Sequence, residues 1–158
     1  MTQLTVGIAD YKIGKSPDVL RALGLGSCVA IALYDRGAKI GGLAHILLPT
    51  STGYDGHNRK KFADSAIVDL VNELVVQGAR RENLVAKLTG GAHMFESRAT
   101  DTIRVGEHNV RSCQDALASL KIPVIANDTG GHWGRAVELN TDSGMLKVIT
   151  VGTGEKTI

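Results

Sequence analysis

Among the side chains able to act as nucleophiles, Cys28 has the most informative surroundings, because it closes the run Leu23-Gly24-Leu25-Gly26-Ser27-Cys28. Glycines in such a turn allow main-chain amides to point outward into a concave site. Amides of the Gly26-Ser27 turn, with that of Cys28 itself, could then bind the oxyanion that forms when a thiolate attacks a carbonyl carbon. A free thiol titrates near about 8.5, so at neutral pH it needs a neighbouring base or cation to become a useful nucleophile. His45, in the apolar stretch Leu43-Ala44-His45-Ile46-Leu47, is the candidate base. A cysteine beside a histidine points to covalent catalysis through a thioester.

The same residues admit a plainer reading. A cysteine at the start of a strand packs well as a small hydrophobe, and a histidine in an apolar strand is often a satisfied core residue. Spacing alone leaves both readings standing. The other candidates are weaker. Cys113 falls on the apolar face of a short helix, where packing is the default. His57, His93, His108 and His132 are scattered without a metal-ligand spacing. Neither a metal nor a cofactor is expected. The stretches Gly90-Gly91-Ala92-His93-Met94-Phe95 and Asp128-Thr129-Gly130-Gly131 follow strand patterns but complete no phosphate-binding signature. Gly90, Gly91, Thr129 and Gly130 are therefore read as tight turns after strands that line the cleft around Cys28.

These residues need elements to hold them. Two apolar runs, Cys28 to Tyr34 and Ile40 to Leu48, flank the polar Asp35-Arg36-Gly37-Ala38 and predict a β-hairpin. Closing the hairpin on those four residues sets Cys28 directly opposite His45, with β-carbons about 4.5–5.5 Å apart. A slip of one residue would put them on opposite faces. Residues 61–76 carry apolar rows at helical spacing, Phe62, Ala66, Leu70 and Leu74 beside Ala63, Ile67, Val71 and Val75, with Gly78 placed to cap the end. A second helix is predicted from Asn109, acting as its cap, with Val110, Cys113, Leu117 and Leu120 buried. Leu4, Val6 and Ile8 suggest an N-terminal strand before a turn at Gly14 to Pro17. Further strands are expected over residues 84–88, 122–126, 135–139 and 145–151. Two helices and roughly seven strands make an α+β mixture with mostly antiparallel or mixed sheets and the helices on one face.

Composition bounds the function. The 158 residues suit one domain spanning 1–158, and 43% apolar content can fill its core. Eighteen basic side chains against sixteen acidic ones give a net charge of +2, too balanced for a nucleic-acid surface or a polybasic membrane patch. No stretch approaches the ~18 apolar residues of a membrane span, nor does the N-terminus carry a signal-peptide pattern. A cytoplasmic location with reduced cysteines is expected.

Four blocks, taken in order, resemble the chemoreceptor glutamine deamidases of the CheD family. They are the Leu23 to Cys28 turn, Gly42-Leu43-Ala44-His45 with Leu48-Pro49, Gly90-Gly91-Ala92 running to Met94-Phe95-Glu96-Ser97, and Asp128-Thr129-Gly130-Gly131. The resemblance extends from about Val6 to Gly154. It implies a hydrolase of the chemotaxis system that converts particular receptor glutamines to glutamate, and cleaves glutamyl methyl esters, using Cys28 and His45. It also implies a three-layer α-β-β sandwich like that of a bacterial toxin deamidase. The partners it implies are the cytoplasmic helical region of methyl-accepting chemotaxis receptors and a CheC-type phosphatase. One departure stands out: where the family pattern has a threonine that orients the histidine, this chain has Ala22. Another group, such as a backbone carbonyl, a water or the hydroxyl of Ser27 or Thr50, must then hold the imidazole, and weak to moderate activity is expected. The alternative is a regulatory module that binds the phosphatase or the receptors with little catalysis.

Overall fold

In the computed structural model, which describes residues 1–53, 58–94 and 104–158, ten strands form two five-stranded sheets. The strands are β1 (Gln3–Thr5), β2 (Asp10–Lys15), β3 (Val19–Leu25), β4 (Val29–Asp35), β5 (Ile40–Ile46), β6 (Leu84–Gly90), β7 (Val124–Thr129), β8 (Arg135–Asn140), β9 (Leu146–Thr150) and β10 (Gly154–Thr157). The helices are α1 (Ala63–Val76) and α2 (Val105–Ser119). A central sheet has the order β2-β5-β4-β6-β7 and an outer sheet the order β1-β3-β8-β9-β10. Pairing is antiparallel except for β1 with β3 and β6 with β7, so both sheets are mixed.

Every residue of β4 and β5 is buried, because the central sheet is covered on both faces. Val29, Ile31, Leu33, Ala44 and Ile46 face the two helices. Cys28, Ala30, Ala32 and Leu43 face the opposite way, onto Leu20, Ala22, Val137, Leu139 and Val148 of the outer sheet. The three-layer α-β-β sandwich follows directly from that division. Gly42 is required for close layering: a β-carbon there would stand 2.8 Å from a Leu70 methyl group of α1. Helix α1 buries Ala66, Ile67, Leu70, Val71 and Leu74, and it ends as its sequence predicts. Gly78 takes φ 114°, its amide donates to Val75, and Ala79 donates to Leu74.

Several expectations are corrected. Strands β2, β3 and β10 were not foreseen, and β3 absorbs Leu23-Gly24-Leu25, leaving only Gly26 to Cys28 outside strands before β4. Gly24 sits at a bulge between Ala22 and Leu25, with φ 67°, so a sequence that reads as a turn remains paired to β8. Gly14 lies within β2. The N-terminal strand stops at Thr5; Val6 is buried but Ile8 is 59% exposed. Asn109 is no cap: α2 begins a turn earlier at Val105, and Asn109 lies fully buried inside it. His57 and the Phe95-Glu96-Ser97 block lie outside the described residues.

Candidate active site

The β4–β5 hairpin turns on Arg36 to Lys39, with Lys39 at φ 53°, and its last pair is Asp35 with Ile40. The pairing is thus displaced by two residues from the predicted one, and His45 faces Ala30 rather than Cys28. The displacement is even, so the side chains keep their faces. Cys28, one residue before β4, is a diagonal neighbour of His45 on the face turned toward the outer sheet, a separation of about 7–8 Å between backbone positions in regular pairing.

Both groups are deep. Cys28 is 6% exposed, and burial pushes its thiol above the ordinary value, opposed in part by its own backbone N–H, which favours the thiolate. His45 is 1% exposed, and burial pushes its imidazole below 6.5, opposed by the main chain of Val6, whose carbonyl favours the protonated ring. Neither ring nitrogen has a hydrogen-bond partner of normal geometry among the described residues. The Ser27 and Thr50 hydroxyls therefore do not hold it here, and Thr50 is instead engaged with Thr52 and Asp64. Ala22 is wholly buried in the same inter-sheet layer, with no polar atom to offer the ring. The Val6 backbone is the polar neighbour that remains.

The turn before β4 is tied back carbonyl by carbonyl. Gly26 accepts from the amide of Ala92 (2.9 Å), Ser27 from Nδ2 of Asn109 (2.9 Å) and Cys28 from the amide of Gly91 (2.8 Å). Gly90, at φ 106°, tolerates no side chain, since a β-carbon would collide with the Cys28 carbonyl. The two glycine loops are stitched together by Gly130 N–H to Gly90 O (2.9 Å) and His93 N–H to Gly131 O (2.8 Å). Gly91, Thr129 and Gly130 also line a cleft of about 320 Å³ with Val110, Arg111 and Gln114 of α2. Cys28 is not among the residues lining that cleft; the loops reach its turn through the amides of Gly91 and Ala92. Asn109 was the residue sequence reasoning misread: an asparagine among apolar helix positions suggests a cap, and only the tertiary structure reveals its partners.

Elsewhere the candidates separate. Cys113 is fully buried among helix and sheet side chains, and burial raises its thiol strongly. Among the described residues no cluster of His, Cys, Asp and Glu could hold a metal ion, and no helix is long and apolar enough to cross a membrane.

Three comparisons bear on these residues. The family model described as "CheD chemotactic sensory transduction" matches residues 47–150, a stretch that begins just after His45. The chain is 47% identical over 157 residues to a probable chemoreceptor glutamine deamidase CheD of Caldanaerobacter subterraneus, covering 98% of this chain and 97% of that one. It is 44% identical to the chemoreceptor glutamine deamidase CheD of Bacillus subtilis, over 98% of this chain and 95% of the relative. Among solved structures, the Bacillus licheniformis hypothetical protein YfiH is similar at 14% identity and a TM-score of 0.49, over 75% of this chain and 50% of that one. That likeness adds nothing to the topology described above.

Proposed function

The chain belongs to the CheD family, and from that premise we propose that it is a chemoreceptor glutamine deamidase in which Cys28 is the nucleophile and His45 the general base. The observation that carries the assignment is the placement of Cys28 and His45 one diagonal step apart on a single buried face, behind a turn whose carbonyls are all engaged elsewhere. Burial favours the uncharged form of each group, so the resting pair is a thiol beside a neutral imidazole. His45 takes the thiol proton as sulfur bonds to the glutamine carboxamide carbon, and the oxyanion is held by amides of the Gly26 to Cys28 turn. The tetrahedral adduct collapses with its C–N bond breaking, His45 protonates the departing ammonia, and a thioester remains. Water, losing a proton to His45, then hydrolyses the thioester to glutamate and returns the thiol. A glutamyl methyl ester follows the same course with methanol leaving.

Ala22 leaves the imidazole without a side-chain orienter, and the Val6 carbonyl is its proposed substitute. Slower turnover than in a relative with a threonine at that position follows. The substrate is the cytoplasmic helical region of a chemoreceptor, which places the reaction in the cytoplasm. A CheC-type phosphatase is a further proposed partner, supported by family membership alone. The regulatory-module reading is not favoured, since the relatives are named as deamidases. Intact-mass analysis of a receptor fragment tests the assignment: the wild type should add about one dalton per converted glutamine, and Cys28→Ala should add none. Normal conversion by Cys28→Ala would remove Cys28 from the mechanism.

A further inference from the structure

Asn109 is fully buried on α2, yet it spends its amide on two main-chain carbonyls far away in sequence: Nδ2 donates to Ser27 at 2.9 Å and to Leu47 at 3.0 Å. These carbonyls belong to the two segments that carry the proposed catalytic pair. Ser27 directly precedes Cys28, and Leu47 follows His45 by two residues, just beyond the end of β5. Its Oδ1 is buried without a hydrogen-bond partner, a cost to stability that an apolar side chain at this point of the helix would not carry.

The carbonyl of Ser27 and the amide of Cys28 are the two ends of one peptide unit. In a planar trans peptide they point in opposite directions, so fixing the carbonyl fixes the amide. A donor held on the oxygen also polarises the unit and makes its N–H a stronger donor. That N–H lies close enough to the Cys28 sulfur to favour the thiolate, within the turn whose amides are the proposed oxyanion donors. The neighbouring carbonyls of Gly26 and Cys28 are already held by Ala92 and Gly91, so the Ser27–Cys28 unit is the one whose orientation depends on a side chain.

We propose that Asn109 is a positioning residue for deamidation: by binding the Ser27 carbonyl it aims and strengthens the Cys28 amide as an oxyanion donor, and through Leu47 it keeps that turn in register with the strand bearing His45. The proposal rests on the deamidase reading and adds to it a residue that touches neither substrate nor sulfur.

The test compares Asn109→Leu, which removes both donors at similar volume, with Asn109→Asp, which sets an acceptor against two carbonyls. For each, kcat and KM are measured on a receptor fragment together with the rate at which iodoacetamide alkylates Cys28. Alkylation is a displacement at a saturated carbon that forms no oxyanion, so it reports the thiol without the amide. The expected result is a loss in kcat of roughly 10- to 100-fold, with KM and the alkylation rate each changed by less than about threefold, within the range of one weak hydrogen bond. An unchanged kcat in a cooperatively folded variant overturns the proposal. So does an alkylation rate that falls in step with kcat, because the thiol rather than the amide would then have moved. Asn109→Ser keeps one donor on a smaller side chain and serves where the other two unfold; failure of all three to fold makes Asn109 a core residue only and also overturns the proposal. Wild type and Cys28→Ala run alongside. If the wild type adds no mass, or Cys28→Ala still does, the deamidase reading itself fails; a Cys28-dependent wild type with fully active Asn109 variants defeats this inference alone.

Discussion

Cys28 and His45 are each pushed toward the uncharged state by burial, and this sets the pH behaviour of the pair. An imidazole whose value lies below 6.5 stays a competent base at mildly acidic pH, so the acid limb of kcat/KM should fall below the range of a free histidine. A thiol raised above 9.0 ionises late. The alkylation rate of Cys28 in the wild type should therefore be low at neutral pH and still be climbing at pH 9, as measured by iodoacetamide labelling across a pH series. A plateau already reached at pH 7 would mean a preformed thiolate–imidazolium pair, and the neutral-pair mechanism would have to be abandoned. The histidine also links to stability. Its folded value is depressed, so the native state binds fewer protons than the unfolded chain and loses stability as pH falls below about 6.5, the ordinary value of imidazole.

The elements around the pair explain why glycine recurs beside the thiol, and which parts of the site were legible beforehand. Gly90 at φ 106° and Gly24 at φ 67° are both strained for any other residue, but only at Gly90 would a β-carbon collide with the Cys28 carbonyl; nothing lies within 4 Å of a β-carbon at Gly24. Gly24→Ala should cost only the backbone term, about 1–2 kcal/mol, and leave kcat near the wild-type value. Gly90→Ala should lose more stability and also most of its kcat, because the Cys28 carbonyl must shift. Urea unfolding with the mass assay checks both, and equal losses in the two variants would show that contact with Cys28 is not what demands glycine at position 90. The hairpin, both helices and the glycine cap of α1 were readable because apolar period and helix-end glycine are local signals. Register was not: moving the hairpin turn by a single residue, from Asp35–Ala38 to Arg36–Lys39, moves every partner by two, and the left-handed Lys39 that allows it carries no sequence signature. The even displacement is why Cys28 and His45 were still assigned to one face. Strand β3 was hidden because Leu23-Gly24-Leu25-Gly26 reads as a turn although a bulge keeps it paired. Asn109 was hidden because a buried amide and a helix cap look alike until the carbonyls across the fold are known.

At the scale of the whole molecule, the central sheet is fastened to the outer sheet differently at its two ends. At the Cys28 end small side chains, Ala22, Ala30 and Ala32, pack between the layers, and the buried Arg135 of β8 ties across to the central sheet through the Asp128 carboxylate of β7 at 3.2 Å and the Gly90 carbonyl of β6 at 3.4 Å. At the other end of β4, Tyr34 reaches across and donates to the carbonyl of Thr141 at 2.8 Å, in the turn between β8 and β9, while the buried Lys87 ammonium donates to Gly144 in the same turn at 2.9 Å. The layers are thus pinned at both ends, and the tyrosine and lysine ties are the ones remote from the proposed chemistry. Tyr34→Phe keeps the ring that packs on Gly144 and removes the hydroxyl shared between the Thr141 carbonyl at 2.8 Å and the Asp142 carbonyl at 3.3 Å, leaving the buried Thr141 carbonyl short of a donor. It should cost about 1 kcal/mol, which for a chain of this length lowers the melting temperature by roughly 2–4 °C. Because the lost tie lies at the far end of β4 from Cys28, kcat on a receptor fragment should match the wild type. A loss of turnover larger than about twofold at a temperature where the variant is fully folded would mean that the tyrosine end governs the spacing of the sheets at the thiol, and that the two ends of the sandwich are mechanically one.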